Sequence, residues 1–346
     1  MGKNWSGFAF ERYGDLTTGP VTSMATPVAS SSNGSWSASF AIPAYLGGSA
    51  ARGSGAAVAA GRYEFVAQPC QSHKLLTASF RVTAGTPAAA KAHYVGIAVT
   101  PDGQGYWLVR ANGDVAAFGD ARSYGSLGAG KLGATGRIIG MARTYDAGGY
   151  WLASAAGTIY TLGDARSYGS LGSDNKSIAA PVIGIAATAA GKGYYLAGAN
   201  GAVVGFGDAH VSGAPNSYLA PYDAIGARTA GGYIVTSATT SVVYTYPGGV
   251  ASGGGPGFAL SAELVGTAVT PSGNGTWQVG MDGGVITGGD AGFYGSVPGS
   301  TIVLKAPITA IAATPDGKGY WLLDANGTVY PFGDAKTFPP APTTPK

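Results

Sequence analysis

The sequence predicts an all-β chain of tandem units, and three observations carry that expectation. A segment of 40–44 residues recurs six times between positions 95 and 338. Each copy alternates short apolar runs with Pro-Asp-Gly, Asn-Gly or Gly-Asp-Ala turn signals. No copy sustains the 3.6-residue apolar period of an amphipathic helix.

Composition agrees with a folded, glycine-punctuated chain. Glycine is 60 of 346 residues, against a usual share of roughly 7%. Charged residues are only 11%, under half of the usual share of about 25%. Aromatic residues are also 11%, which disordered chains do not reach. The formal charge of +3 makes no basic stripe, so nucleic acid is not an expected partner. No run of 18 apolar residues is present, so no transmembrane helix is expected. The start, Met1-Gly2-Lys3-Asn4-Trp5-Ser6, lacks the apolar core of a secretory signal, and the chain reads as a fragment of a larger protein.

Each element of the repeat follows from its residues. Val95–Gly128 reads VGIAVTPDGQGYWLVRANGDVAAFGDARSYGSLG, and later copies start at Ile139, Ile183, Ile225, Val265 and Thr309. The first glycine falls at 96, 140, 184, 226 and 266, with Ala310 in its place in the last copy. Gly96–Thr100 is strand a, Tyr106–Arg110 strand b, and Val115–Phe118 strand c. Asn112-Gly113 supplies the tight hairpin between b and c. Tyr124–Leu127 is expected as a short strand d. Adjacent residues of a strand point to opposite faces, so Tyr106-Trp107 sends one ring each way. A sheet that buries both faces, repeated about every 42 residues, is the signature of a β-propeller blade. Six copies suggest six blades over 95–338. The fourth and sixth copies lack Tyr-Gly-Ser. Closure is therefore expected by a circular offset, in which each such strand serves the following blade and Lys336–Phe338 completes the first.

Residues 1–84 have a different texture. Ser35–Pro43, Gly61–Gln68 and Leu76–Thr83 alternate polar and apolar residues, which suggests a small β-sandwich. Residues 85–94 read as a linker and 339–346 as a Pro-rich tail.

The repeat resembles the tandem "IAATPDGKGYWL…GD…FYGSLG" repeat of secreted and surface proteins of actinobacteria. Thr314–Leu322 and Tyr124–Gly128 carry the likeness, which spans 95–338. The stretch GSWSASFAIP…AAGRYEFVAQPC…LTASFRVTAG resembles the last strands of bacterial immunoglobulin-like surface modules. The expected architecture is thus a six-bladed β-propeller preceded by a small Ig-like β-sandwich. The resemblance implies an extracellular, non-catalytic accessory role, and it carries over no catalytic residue.

The chemistry-bearing residues are few. One cysteine, Cys70, and three histidines, His73, His93 and His210, make no zinc cluster and suggest no triad. No metal or cofactor is expected. Asp120, Asp164, Asp208, Asp290 and Asp334 recur in the Gly-Asp-Ala turn. Facing a channel, they would form a ring for cations or sugars. As turn residues they accept backbone N–H groups, and their repetition favours that structural role. Glu11, Glu64 and Glu263 lie mostly outside the repeats, so no glycosidase pair is expected. Gly128–Gly133 matches G-x-G-x-x-G without a following helix and reads as an inter-blade loop. Sequons at Asn4, Asn33, Asn175, Asn274 and Asn326 largely coincide with turn chemistry.

Variation between copies concentrates in the d–a loops 128–137, 172–181, 215–222, 248–263 and 298–307. Tyr218, Tyr222, Asn175 and Lys176 are the candidate ligand-binding residues there, because aromatic and amide groups suit sugars or proteins. The function expected is extracellular binding or adhesion by a monomer, to a cell-wall polysaccharide or a surface protein. The alternatives are an accessory region of a larger secreted hydrolase and, third, a propeller enzyme.

Overall fold

The structure is a computed structural model. It describes 93–341 apart from residues 129, 133–135, 173–174, 216–220, 238–240 and 252–261. It also describes the backbone of five earlier strands. The chain divides into two compact units, Met1–Ala89 and Ala90–Lys346.

In the first unit β1 (Trp5–Arg12), β4 (Gly61–Pro69) and β5 (Leu76–Val82) form an antiparallel sheet in the order β1-β4-β5. The short strands β2 (Tyr45–Leu46) and β3 (Ala56–Ala57) pair separately. Two of the three alternating segments are therefore strands. The third, 35–43, lies outside the described residues. β1 was not anticipated.

The second unit is a ring of six antiparallel sheets, and its described residues contain no helix. Blade 1 is β6 (Tyr94–Val99), β7 (Gly105–Arg110) and β8 (Val115–Gly119). Blade 2 is β9 (Ile138–Arg143), β10 (Gly149–Ser154) and β11 (Ile159–Gly163). Blade 3 is β12 (Val182–Ala187), β13 (Gly193–Gly198) and β14 (Val203–Gly207). Blade 4 is β15 (Tyr222–Ala227), β16 (Tyr233–Ser237), β17 (Val243–Tyr246) and β18 (Gly249–Ala251). Blade 5 is β19 (Leu264–Val269), β20 (Thr276–Gly280) and β21 (Val285–Gly288). Blade 6 is β22 (Ile308–Ala313), β23 (Gly319–Asp324) and β24 (Val329–Gly333). Each strand a packs on the next one round, and β22 returns to β6, so the ring is closed and propeller-like.

Strand b is the middle of each blade and buries both faces. Tyr106, Trp107, Leu108 and Val109 are all essentially inaccessible. Tyr106 and Leu108 pack with Trp321 and Leu323 of blade 6, whereas Trp107 and Val109 pack with Tyr150 and Leu152 of blade 2. The paired large residues thus serve the two neighbouring blades in opposite directions. Equivalent apolar clusters fill the 2/3, 3/4 and 5/6 junctions.

Three sequence expectations are corrected. First, Tyr-Gly-Ser is not a strand, and five blades have three strands rather than four. Gly125, Gly169 and Gly295 take φ of 93°, 120° and 120°, which turns the chain away from the ladder. A serine hydroxyl meets the strand c amide instead: Ser126 Oγ accepts Val115 N–H at 2.8 Å, and Ser170 Oγ accepts Ile159 N–H at 2.9 Å. Second, the segment belongs to both blades. Leu127 N–H donates to Gly113 O of its own blade at 3.1 Å, and Tyr124 Oη donates to Ala147 O of the next at 2.8 Å. Third, the register of the fourth copy is two residues off. Ala224, opposite Thr236, corresponds to Gly96 opposite Val109. Gly226, which looked like the first glycine of that copy, sits at the position of Ala98.

The expected closure by the end of the chain is present. Phe338 packs 5.7 Å from Tyr106, and Trp321 Nε1 donates to Lys336 O at 2.6 Å. Beyond them Gly119 N–H donates to Pro339 O at 2.9 Å and Ala341 N–H to Ala117 O at 2.8 Å. The Pro-rich tail therefore begins as a strap along the outer edge of β8. Proline suits this place, because an edge neighbour needs only alternate backbone groups.

Candidate functional site

The two ends of the blades differ in chemistry. One face carries the a–b and c–d turns with the repeated Asp residues. The other carries the b–c hairpins and the d–a loops.

On the turn face the repeated Asp residues of blades 2, 3 and 5 are held by hydroxyls of their own blade. Thr188 Oγ1 lies 2.7 Å from Asp208 Oδ1, Thr270 Oγ1 2.8 Å from Asp290 Oδ1, and Thr144 Oγ1 3.3 Å from Asp164 Oδ1. Ser272 adds a second bond to Asp290, at 2.5 Å. The carboxylate also lies over the glycine that opens strand b. A Cβ on Gly105, Gly193, Gly275 or Gly319 would collide with Asp120, Asp208, Asp290 or Asp334. A backbone carbonyl crowds the same Cβ, Phe118 O at Gly105, Phe206 O at Gly193 and Phe332 O at Gly319, so only Gly fits where strand b begins. All five Asp residues are exposed at the end of strand c, and it is the strands a, at the opposite edge of each sheet, that pack on one another round the ring.

A second Asp joins the first in some blades. Asp102 Oδ1 accepts from Thr100 Oγ1 at 2.9 Å and from Gln104 N–H at 3.1 Å. These bonds, the backbone one foremost, hold its carboxyl below the usual range. Burial first, and then the Asp102 charge, push neighbouring Asp120 up. Asp316, which accepts Lys318 N–H and the Thr314 hydroxyl, is likewise held low beside Asp334. Between blades 1 and 2 this turn borders an open cleft of about 300 Å³ lined by Thr100, Pro101, Asp102, Trp107, Asp120, Arg122, Tyr124 and Ala147. Neither ring is free to stack on a ligand. Trp107 is 1% exposed and its Nε1 donates to Arg122 O, while the half-buried Tyr124 ring packs 5.8 Å from Tyr150 and 6.5 Å from Trp107. The cleft presents carboxylates and one guanidinium, which suit hydroxyl-rich or cationic groups.

Of the four candidate ligand residues, three are described. Tyr218 lies outside the described residues. Tyr222 opens β15 and is only 2% exposed, with its ring 5.8 Å from Tyr244. It belongs to the core of the 3/4 junction rather than to a loop, which corrects its reading as a stacking residue. Asn175 is exposed and holds φ 55°. Lys176 is exposed, but its ammonium donates to Gly205 O at 2.6 Å and sits 4.4 Å over the Phe206 ring. It ties the loop leaving blade 2 to strand c of blade 3.

The exposed apolar residues were missed. Tyr145 is 73% exposed, Phe293 59% and Val303 83%. A signal existed for one of them: Tyr145 stands where three other copies carry Pro101, Pro271 or Pro315. Departure from the repeat at an exposed position marks a residue the scaffold does not need. Among the described residues no group of three or more His, Cys, Asp or Glu is placed to hold a metal ion. Among them too, no helix is long and apolar enough to cross a membrane.

No protein-family model matches the sequence. No curated protein matches it either. Among solved structures the chain is similar to that of U3-55K, with a TM-score of 0.49 and 13% identity over 70% of this chain and 78% of that one.

Proposed function

We propose that the chain is a non-catalytic extracellular binding module that engages a cell-wall glycan or a surface protein. The observation that carries this reading is a division of labour among polar and aromatic groups. The repeated Asp, Thr, Tyr and Trp residues are consumed by turns and junctions, whereas Tyr145, which replaces the proline of three other copies, and Phe293 stand exposed on the turn face. Exposed aromatics beside a polar rim suit shallow recognition of a saccharide or protein surface.

The test is retention of the full chain on purified actinobacterial cell wall, with a glycan array and soluble sugar as competitor. Saturable, competable retention that weakens in Tyr145→Ala or Phe293→Ala supports the glycan form. No retention on any glycan removes it, and crosslinking on whole cells then decides whether a protein is bound.

A further inference from the structure

The junctions of the ring are not alike. At the 6/1 junction blade 1 presents Ile97, Tyr106 and Leu108, and blade 6 presents Trp321 and Leu323. At the 4/5 junction four of these five positions carry a polar residue, and the fifth carries Ile234 in place of a Trp. Blade 5 presents Thr267 for Ile97, Thr276 for Tyr106 and Gln278 for Leu108. Blade 4 presents Ile234 for Trp321 and Thr236 for Leu323. No other junction carries a polar residue at these positions on both faces. Among the described residues the five apolar clusters fill the other five junctions and none lies here.

Hydroxyls hold the 4/5 faces together instead. Thr236 Oγ1 lies 2.9 Å from Thr267 Oγ1 across the junction. At the turn face Arg228 Nε donates to Gly273 O at 3.0 Å, and Thr229 Oγ1 to Pro271 O at 3.0 Å. Thr236, Thr276 and Gln278 are 0%, 4% and 1% exposed, and Gln278 Nε2 has no hydrogen-bond partner.

We propose that the ring parts at this internal junction, between blades 4 and 5, and not where the chain closes on itself. Apolar junctions resist opening because their surface must be hydrated. Hydroxyl and amide groups exchange protein bonds for water at little net cost, and Gln278 gains an acceptor when water enters. The 6/1 joint, by contrast, holds Trp321 6.1 Å from Tyr106 and is strapped by Pro339 and Ala341. Opening at 4/5 leaves the five apolar junctions shut and hydrates Thr236, Thr267, Thr276 and Gln278, with Ile234 and Leu264 as the apolar groups uncovered beside them.

The experiment uses the full chain with Cys70→Ser and one new cysteine, at Thr236→Cys or at the matching position of the 5/6 junction, Val279→Cys. Both side chains are 0% exposed, so a difference in native labelling by a thiol reagent reports opening and not static access. The cysteine at 236 is expected to react at least about tenfold faster. Equal or slower reaction overturns the proposal. Gln278→Leu, made in the otherwise unaltered chain, restores the residue that four of the other five blades carry. It is expected to raise Tm and, combined with Thr236→Cys, to slow labelling. A lower Tm or an unchanged labelling rate also overturns the proposal.

Discussion

Phe338 is the most direct test of how the ring closes. Its half-buried ring packs 5.7 Å from Tyr106, and a Cβ on Gly119 would touch it. Phe338→Ala removes those contacts and leaves the backbone in place, so no ordering entropy is recovered to obscure the loss. Half the burial of a Phe side chain is about 1 kcal/mol. The aromatic contact adds about 1 kcal/mol. A loss of about 2 kcal/mol in a domain of this size lowers Tm by about 4–8 °C. Calorimetry gives the shift. Hydrogen exchange locates it, with β7 and β8 losing protection before β10 and β11. Val303→Ala, at 83% exposure, serves as the control and leaves Tm unchanged. A Phe338→Ala shift below about 1 °C, with β8 exchange unaltered, would refute the idea that the tail closes the ring.

Three further outcomes follow from the same geometry. Tyr150→Phe removes the phenol that donates to Gly125 O at 2.5 Å and is expected to cost about 1 kcal/mol in urea unfolding, whereas Tyr145→Phe, at 73% exposure, costs nothing measurable. Burial pushes the phenols of Tyr150, Tyr233 and Tyr320 up to about 12. The folded chain therefore keeps protons that the unfolded chain has lost, and stability falls as pH rises from about 10 towards 12. Absorbance at 295 nm should show these tyrosines ionising together with unfolding; gradual titration in a folded chain would contradict their burial. At the acid end the Ser272 and Thr270 hydroxyls hold Asp290 below its usual value. Its contribution is present above about pH 4 and disappears as pH falls through its lowered value. Asp290→Asn should flatten that limb of the stability profile slightly, because the carboxylate is exposed and solvent-screened, and an unchanged acid limb would show that the hydroxyl bonds carry no charge-dependent stability.

The sequence by itself determined the local elements. Turn chemistry at Asn112-Gly113 and Gly119-Asp120, with the alternation through Tyr106-Trp107, is read from neighbouring residues, and these placed strands a, b and c to within two residues. The role of Lys336–Phe338 was also legible, since the sixth copy lacks what the others carry at that point. Other features were decided by tertiary structure alone. Tyr-Gly-Ser looks like a strand, but whether its backbone joins a ladder depends on Gly125 at φ 93° and on the Ser126 hydroxyl reaching Val115. Tyr222 reads as a loop aromatic until β15 carries it into the core beside Tyr244. The register of the fourth copy shows only in cross-strand pairing, because Gly226 looks like a first glycine when residues alone are aligned. The polar character of the 4/5 junction needs two blades superposed on the rest, since Thr236 and Gln278 lie far apart in the chain and become one surface only when the ring closes. Side chains that meet only across a junction are set by packing between distant segments, and no local pattern encodes that.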